Sequence, residues 1–231
     1  MALKVGCAQF AVARARYFET LPTVEIGSAF IEGPQLATAE QWKREAPKTF
    51  EFSLPASQVI THTTASSTYA KILKKIAERR RGFCGHFKDS PEVTMAWEHT
   101  RALASALDAK FVVFETPSSF YADADHLRDM YRFFKAAPRG RWAYVWHPRG
   151  RWDLKLLDRV CADLGLVRAR DPFDEPGDPP KAPRYYRLRA QEYTLPQLKM
   201  LRRLGEGTHA YAYFLRRTGW LQARKLVEGR A

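Results

Sequence analysis

Asparagine is missing altogether from the 231 residues, where average usage supplies roughly ten. Depletion of thermolabile residues is part of the hyperthermophile signature, so a thermophilic source is expected. Cysteine is scarce. Cys7, Cys84 and Cys161 show no CxxC spacing, which excludes a disulfide framework and a cysteine zinc site. No apolar run reaches the roughly eighteen residues of a membrane span. The chain enters a strand within four residues, leaving no room for a signal peptide, so a cytoplasmic protein with no membrane partner is expected. GxGxxG, Walker A and GxSxG patterns are absent. Nucleotide-cofactor and elbow-serine readings therefore drop out, and no motif implies any cofactor.

What is present is a series of eight short apolar runs. They are VGCAQ (5–9), TVEI (23–26), FEFSL (50–54), FVVFE (111–115), WAYVWH (142–147), LVRARD (166–171), YYRLR (185–189) and AYAYFL (210–215). Helix-like or turn-rich stretches separate them. Eight strand–helix units close a (β/α)8 TIM barrel, here expected as one compact domain over 1–231. Helices are expected over 38–46, with Thr38 as N-cap and Gln41 completing a capping box, and over 68–81, with Tyr69, Ile72, Leu73 and Ile76 as its apolar stripe. Another is expected within 89–110, opened by Pro91. These make the crossover between strands 3 and 4 the longest. Residues 55–67 read as too Ser/Thr-rich for a core element. The Pro/Gly/Asp loop at 171–183 reads as a lid or spacer.

Charge is uneven. Residues 1–115 hold 15 Lys+Arg against 12 Asp+Glu, and residues 116–231 hold 23 against 13. The second half thus carries +10 of the net +13. A one-sided field suits an anionic partner, either nucleic acid or a phosphorylated small molecule. An ion-paired surface with no partner fits the same numbers. The basic run 71–81 and the arginines at 139, 141, 149 and 151 beside Trp142, Trp146 and Trp152 are candidates for a phosphate backbone. A solvated helix face and inward-packed tryptophans are the plainer alternative.

In a TIM barrel the working pocket lies where strands become loops. Those positions include Gln9, Glu25, Glu115, His147, Arg187, Arg189 and Arg216. Arg187 and Arg189 are two apart and share a strand face. Two guanidiniums in a barrel mouth need anionic company, from Glu25 and Glu115 or from a phosphate or carboxylate ligand. Arg149 joins them as a candidate phosphate contact. Glu25 and Glu115 form a candidate acid/base pair for a hydrolase or isomerase acting on a small anionic substrate, such as a phosphorylated sugar, with His147 beside them. Ionisation enforced by Arg187 suits a base and not an acid. His62, His86 and His147 with Glu25 and Asp171 lack any metal-ligand spacing, so no metal site is assigned. A scaffold subunit docking a protein through the basic half remains a third reading.

Seven blocks in order carry a resemblance over nearly the whole chain. They are TVEIGSAF (23–30), Trp42 with FEFSLPASQVITH (50–62), FVVFETPSSF (111–120), WHPRGRW (146–152), DPF (171–173), YYRLRA (185–190), and AYAYFL with Ala223. Together they resemble the domain-of-unknown-function 72 family, which implies a (β/α)8 barrel without a settled activity. Glu25, Ser28, Thr61, His62, Arg149, Trp152, Asp171 and Arg187 match that pattern. Gly27, Pro55, Glu115, His147, Arg189-Ala190, Leu215-Arg216 and Gln222 depart from it. The resemblance thus implies a divergent member with an altered pocket.

Overall fold

The computed structural model describes residues 3–174 and 183–229. Eight parallel strands close on themselves in sequence order: β1 (Leu3–Cys7), β2 (Thr23–Glu25), β3 (Glu51–Pro55), β4 (Phe111–Thr116), β5 (Ala143–Pro148), β6 (Val167–Arg170), β7 (Arg184–Leu188) and β8 (Ala210–Phe214). Closure is made by β8 against β1, from Leu3 opposite Ala210 to Cys7 opposite Phe214. The ladder is uneven. β4 and β5 run together from Phe111 opposite Ala143 to Thr116 opposite Pro148. β6 meets β5 only at Val145–Val167 and Trp146–Arg168, and β7 only at Ala169–Tyr185 and Arg170–Tyr186.

Alternation along the strands sorts the core into two compartments. Phe111, Val113, Val145, Ala169, Tyr185, Tyr211 and Tyr213 fill the lumen. Their neighbours, including Phe52, Leu54, Val112, Phe114, Tyr144, Trp146, Tyr186 and Leu188, turn outward into the larger cluster beneath the helices. Lumen hydroxyls pair with each other: Tyr213 lies 2.8 Å from Thr23 Oγ1 and 3.0 Å from Ser53 Oγ. At the opposite end from the pocket, Lys4 and Glu51 form an ion pair at 2.8 Å.

The helical layer is α1 (Arg14–Thr20), α2 (Leu36–Glu45), the single turn α3 (Gln58–Thr61), α4 (Pro91–Ala106), α5 (Ala124–Ala136), α6 (Leu154–Leu164), α7 (Leu195–Leu204) and α8 (Gly219–Val227). Side-chain caps start several of them, as their sequences favour. Ser90, Asp123 and Asp153 accept the N3 amides of α4, α5 and α6, and Thr194 with Gln197 forms a full capping box on α7.

Three local expectations are corrected. The 68–81 segment is not an α-helix but three 3₁₀ pieces, Ser67–Lys71, Leu73–Lys75 and Glu78–Phe83. Lys71, Lys74 and Lys75 would repel one another at helical spacing. Lys75 and Arg80 instead find Glu32 and Glu92 outside the segment. The apolar residues still face inward, with Tyr69 and Ile72 buried beside Cys84. Thr38 is not a cap, since α2 starts at Leu36 after Gln35, which makes no side-chain cap bond. Residues 55–62 are mostly buried, not a surface loop. The proposed lid at 171–183 falls largely outside the described residues.

Gly6 lies opposite Thr23 in the β1–β2 ladder, and a methyl group there would overlap the Thr23 carbonyl. Gly6→Ala is therefore expected to lower stability by about 1–3 kcal/mol. Thermal melting checks it, and an unchanged Tm would contradict this packing.

Candidate functional site

Where β2, β4, β5 and β7 reach the mouth, one arginine gathers three side chains. Arg187 is 6% exposed. Its Nη2 donates to Glu25 Oε1 at 2.8 Å, and its Nη1 pairs closely with Glu115 Oε2 and lies 2.8 Å from His147 Nδ1. Tyr185 extends the chain below, its hydroxyl donating to Glu25 Oε2 at 2.8 Å. Strand parity produces this: Tyr185 and Arg187 lie two apart on β7, and Glu115 stands opposite His147 between β4 and β5.

Burial pushes the Glu115 carboxyl up, but the Arg187 guanidinium outweighs it and holds the group well below the usual carboxylate range. Desolvation lowers Arg187 as well, and Glu25 and Glu115 more than reverse that, so it stays charged. His147 is fully buried, and its pKa is pushed down to about 4 chiefly by burial. Its Nδ1 is 3.7 Å from Glu115 but closer to Arg187, which can only donate. Nδ1 therefore accepts, the neutral ring carries its proton on Nε2, and that buried nitrogen has no partner among the described residues.

The candidates divide by depth. Glu25 is wholly buried, whereas the Glu115 side chain is 22% exposed. Arg149 Nε approaches Glu115 Oε1 at 3.9 Å, with a third of its side chain open to solvent. Arg189 reaches Asp174 at 3.0 Å, and Arg216 donates to the Arg189 carbonyl at 3.1 Å. Asp171 is buried as a clamp, accepting from the amides of Phe173 and Arg189 and from Tyr193. His62, whose pKa burial pushes down to about 4, is 2.8 Å from Thr61 Oγ1 and packs edge-on against Phe30. Trp152 packs at 5.0 Å on Trp146. Ser28 is exposed in a 3₁₀ turn (Gly27–Phe30). Gln9 leaves β1 with φ of +141°, a backbone region that favours glycine.

Sequence reasoning missed Tyr185, Thr23, Ser53 and Tyr213 as lumen polar groups, although each lies two residues from a position it had marked or shares that parity. Among the described residues no group of three or more His, Cys, Asp or Glu side chains is placed to hold a metal ion. No described helix is long and apolar enough to cross a membrane.

The chain matches the family described as protein of unknown function DUF72 over residues 9–219. None of the curated proteins matches it. Among solved structures it is similar to a DUF72 family protein of Enterococcus faecalis V583, with a TM-score of 0.68 and 12% identity over 100% of this chain and 98% of that one. A DUF72 family protein of Thermotoga maritima MSB8 gives 0.67 and 15% over 100% and 99%. The IolI protein with a bound zinc atom gives 0.54 and 9% over 98% and 94%, a likeness of fold alone.

Removing Arg187 strands Glu25 in the core. Arg187→Met is expected to cost about 3–5 kcal/mol, with part recovered by adding Glu25→Gln; denaturant unfolding of both variants checks this. Acid acts on the same network. His147 stays neutral in the fold down to about pH 4, while the unfolded chain takes up that proton near pH 6.5. Stability from this source is complete above the upper value and declines as pH falls toward the lower. Melting between pH 7 and 4.5 should show a falling Tm. His147→Gln should flatten the stability slope by up to about 1.4 kcal/mol per pH unit, and an unaltered slope would refute the assignment.

Proposed function

The chain belongs to the DUF72 family of proteins of unknown function, and on that footing we propose that its barrel mouth binds a small phosphate- or carboxylate-bearing molecule that also carries hydroxyl groups. Arg149, Arg189 and Arg216 meet the anion, and the ionised Glu115 accepts from a hydroxyl. Arg187 holds the floor of the site in place and keeps Glu115 charged. The observation that carries this reading is the depth order: Glu115 is the solvent-reached carboxylate of a network whose other members are buried. Arg149 after β5 approaches it, and Arg189 and Arg216 follow β7 and β8 on the same rim.

The charge arrangement favours a small ligand over nucleic acid. Among the described residues Glu25, Glu115, Asp171 and Asp174 stand against Arg149, Arg187, Arg189 and Arg216, one carboxylate for each of these four arginines. A compact anion gains by direct pairing there, whereas a polyanion needs a broad positive field. A catalytic extension of this reading uses Glu115 as a general base in isomerase- or hydrolase-type proton transfer, available once the substrate loosens its contact with Arg187. Glu25, buried behind Arg187, then acts by holding that arginine and not as the acid.

Isothermal titration with inorganic phosphate and with a phosphorylated sugar, repeated in a salt series, tests the proposal. Binding with a log–log salt slope of about one is expected. Arg149→Ala should weaken it about 10- to 100-fold, in line with a lost charge-assisted hydrogen bond, at unchanged Tm. Silence toward small anions together with steeply salt-dependent RNA or DNA binding would sink this reading and make the +10 half a nucleic-acid surface.

A further inference from the structure

Beside the mouth, and sharing no residue with the Arg187 network, lies a second chain of polar groups. Ser119 sits in the loop after β4 and its Oγ is 3.3 Å from His86 Nε2. His86 Nδ1 is 3.0 Å from His126 Nε2. His126 Nδ1 is 3.0 Å from both Asp123 Oδ2 and the Tyr121 carbonyl. We propose that Ser119 is a nucleophile activated by His86, with His126 and Asp123 as its positioning residues, and that this group hydrolyses small esters by acyl transfer.

Hydrogen-bond logic fixes the direction of the relay. Both partners of His126 Nδ1 are acceptors, so that nitrogen carries the proton. In the neutral ring His126 Nε2 then accepts, which obliges His86 Nδ1 to donate. His86 Nε2 is left with its lone pair facing the Ser119 hydroxyl. Nucleophile, base and orienting groups thus stand in the order that serine acyl transfer requires. The 3.3 Å separation is ordinary for such a pair before substrate tightens it.

The backbone around His86 is an independent sign of a built site. Gly85, His86 and Phe87 are all left-handed, with φ of 85°, 54° and 57°. Two non-glycine residues in succession there are strained by about 1–3 kcal/mol each. The strain is held by amide bonds to α3: Gly85 to the Val59 carbonyl, His86 to Thr61 and Phe87 to Ile60. A side chain at Gly85 would overlap the His62 backbone. Phe87 is anchored among Phe114, Phe120, Phe133 and Phe134. The contorted segment delivers His86 to Ser119 and His126. Its ring is pushed down to about 4, first by burial and then by His126, so it is neutral and able to accept at pH 7. Lys88, His62 and Asp123 are the other ionisable groups acting on it.

The step balances without a co-reactant beyond water. Ser119 Oγ bonds to the ester carbonyl carbon as its proton passes to His86 Nε2. The carbon–alkoxide bond then breaks, and the leaving alcohol takes that proton. Water, deprotonated by His86, next attacks the acyl-serine, releasing the acid and restoring the Ser119 hydroxyl. The turn at 117–120 is closed by the Phe120 amide on the Pro117 carbonyl at 2.9 Å, which leaves the central amides of Ser118 and Ser119 outside that bond and beside the nucleophile for the oxyanion. The exposed Tyr121, packed edge-on against His126, gives the acyl or alcohol group an apolar bed.

A fluorophosphonate probe and p-nitrophenyl acetate, applied to the full chain, test the proposal. Mass spectrometry should find a single phosphonyl adduct on Ser119, and ester turnover should show an initial burst. Ser119→Ala should abolish both. His86→Asn, chosen because asparagine tolerates left-handed backbone, should slow labelling about 100-fold or more, at a Tm near the wild type. His126→Gln should displace the pH profile of labelling, which a merely structural role would not do. Ser105→Ala, at an exposed position of α4, should label normally. A folded wild-type chain with no Ser119 adduct, or His86→Asn labelling at the wild-type rate, would overturn the assignment.

Discussion

The constraint on which the mouth of this barrel depends is a single guanidinium that cannot leave. Arg187 points into a lumen otherwise plugged by Phe111, Tyr185, Tyr211 and Tyr213, and taking it out of water is costly unless carboxylates accompany it. Glu25 and Glu115 supply them from different strands, and His147 fills the remaining angle. Four strand ends are thereby held at one register. The depth order of the site follows, with neutralised groups below and the partly wet Glu115 with the rim arginines above.

Much of this was readable from residue order. Eight apolar runs gave the barrel, and the parity of YYRLR put Arg187 and Arg189 on one face, with Glu25 and Glu115 or an anionic ligand as the alternative partners; the structure gives Arg187 the two glutamates. The caps at Ser90, Asp123 and Asp153 were not singled out, although each precedes an apolar periodicity. The 68–81 segment misled because its apolar spacing is helical while its lysines oppose a helix, and tertiary partners Glu32 and Glu92 lie far off in sequence. Thr38 misled in a different way, since the helix begins a turn earlier without any side-chain cap. His86 and His126, forty residues apart, had no local spacing to announce them. Only the left-handed turn after Cys84 brings them together.

Some basic side chains stand beside nearby acids, as Arg14 beside Glu45, Arg80 beside Glu92 and Arg128 beside Asp125, and these pairs are already counted in the net charge of +13. Exposed pairs of this kind add little to stability. They leave the net excess, and the field it makes at a distance, unchanged. The cleft of about 320 Å³ between α4 and α5, lined by Trp97, Phe87 and Phe133, belongs to the outer wall and lies apart from the barrel mouth.

The uneven ladder has a mechanical reading. β6 is stitched to its neighbours at Val145–Val167, Trp146–Arg168, Ala169–Tyr185 and Arg170–Tyr186 alone, whereas β4 and β5 are zipped along their full length. Opening a seam costs least where the fewest backbone bonds must part. The barrel is thus a hoop with short seams on both sides of β6 and between β1 and β2, and β6 ends beside Asp171, the clamp on the chain leaving β7. Amide hydrogens of β6 are placed to trade with solvent sooner than those of β4. Any breathing of the wall is felt first at Arg189 on the rim.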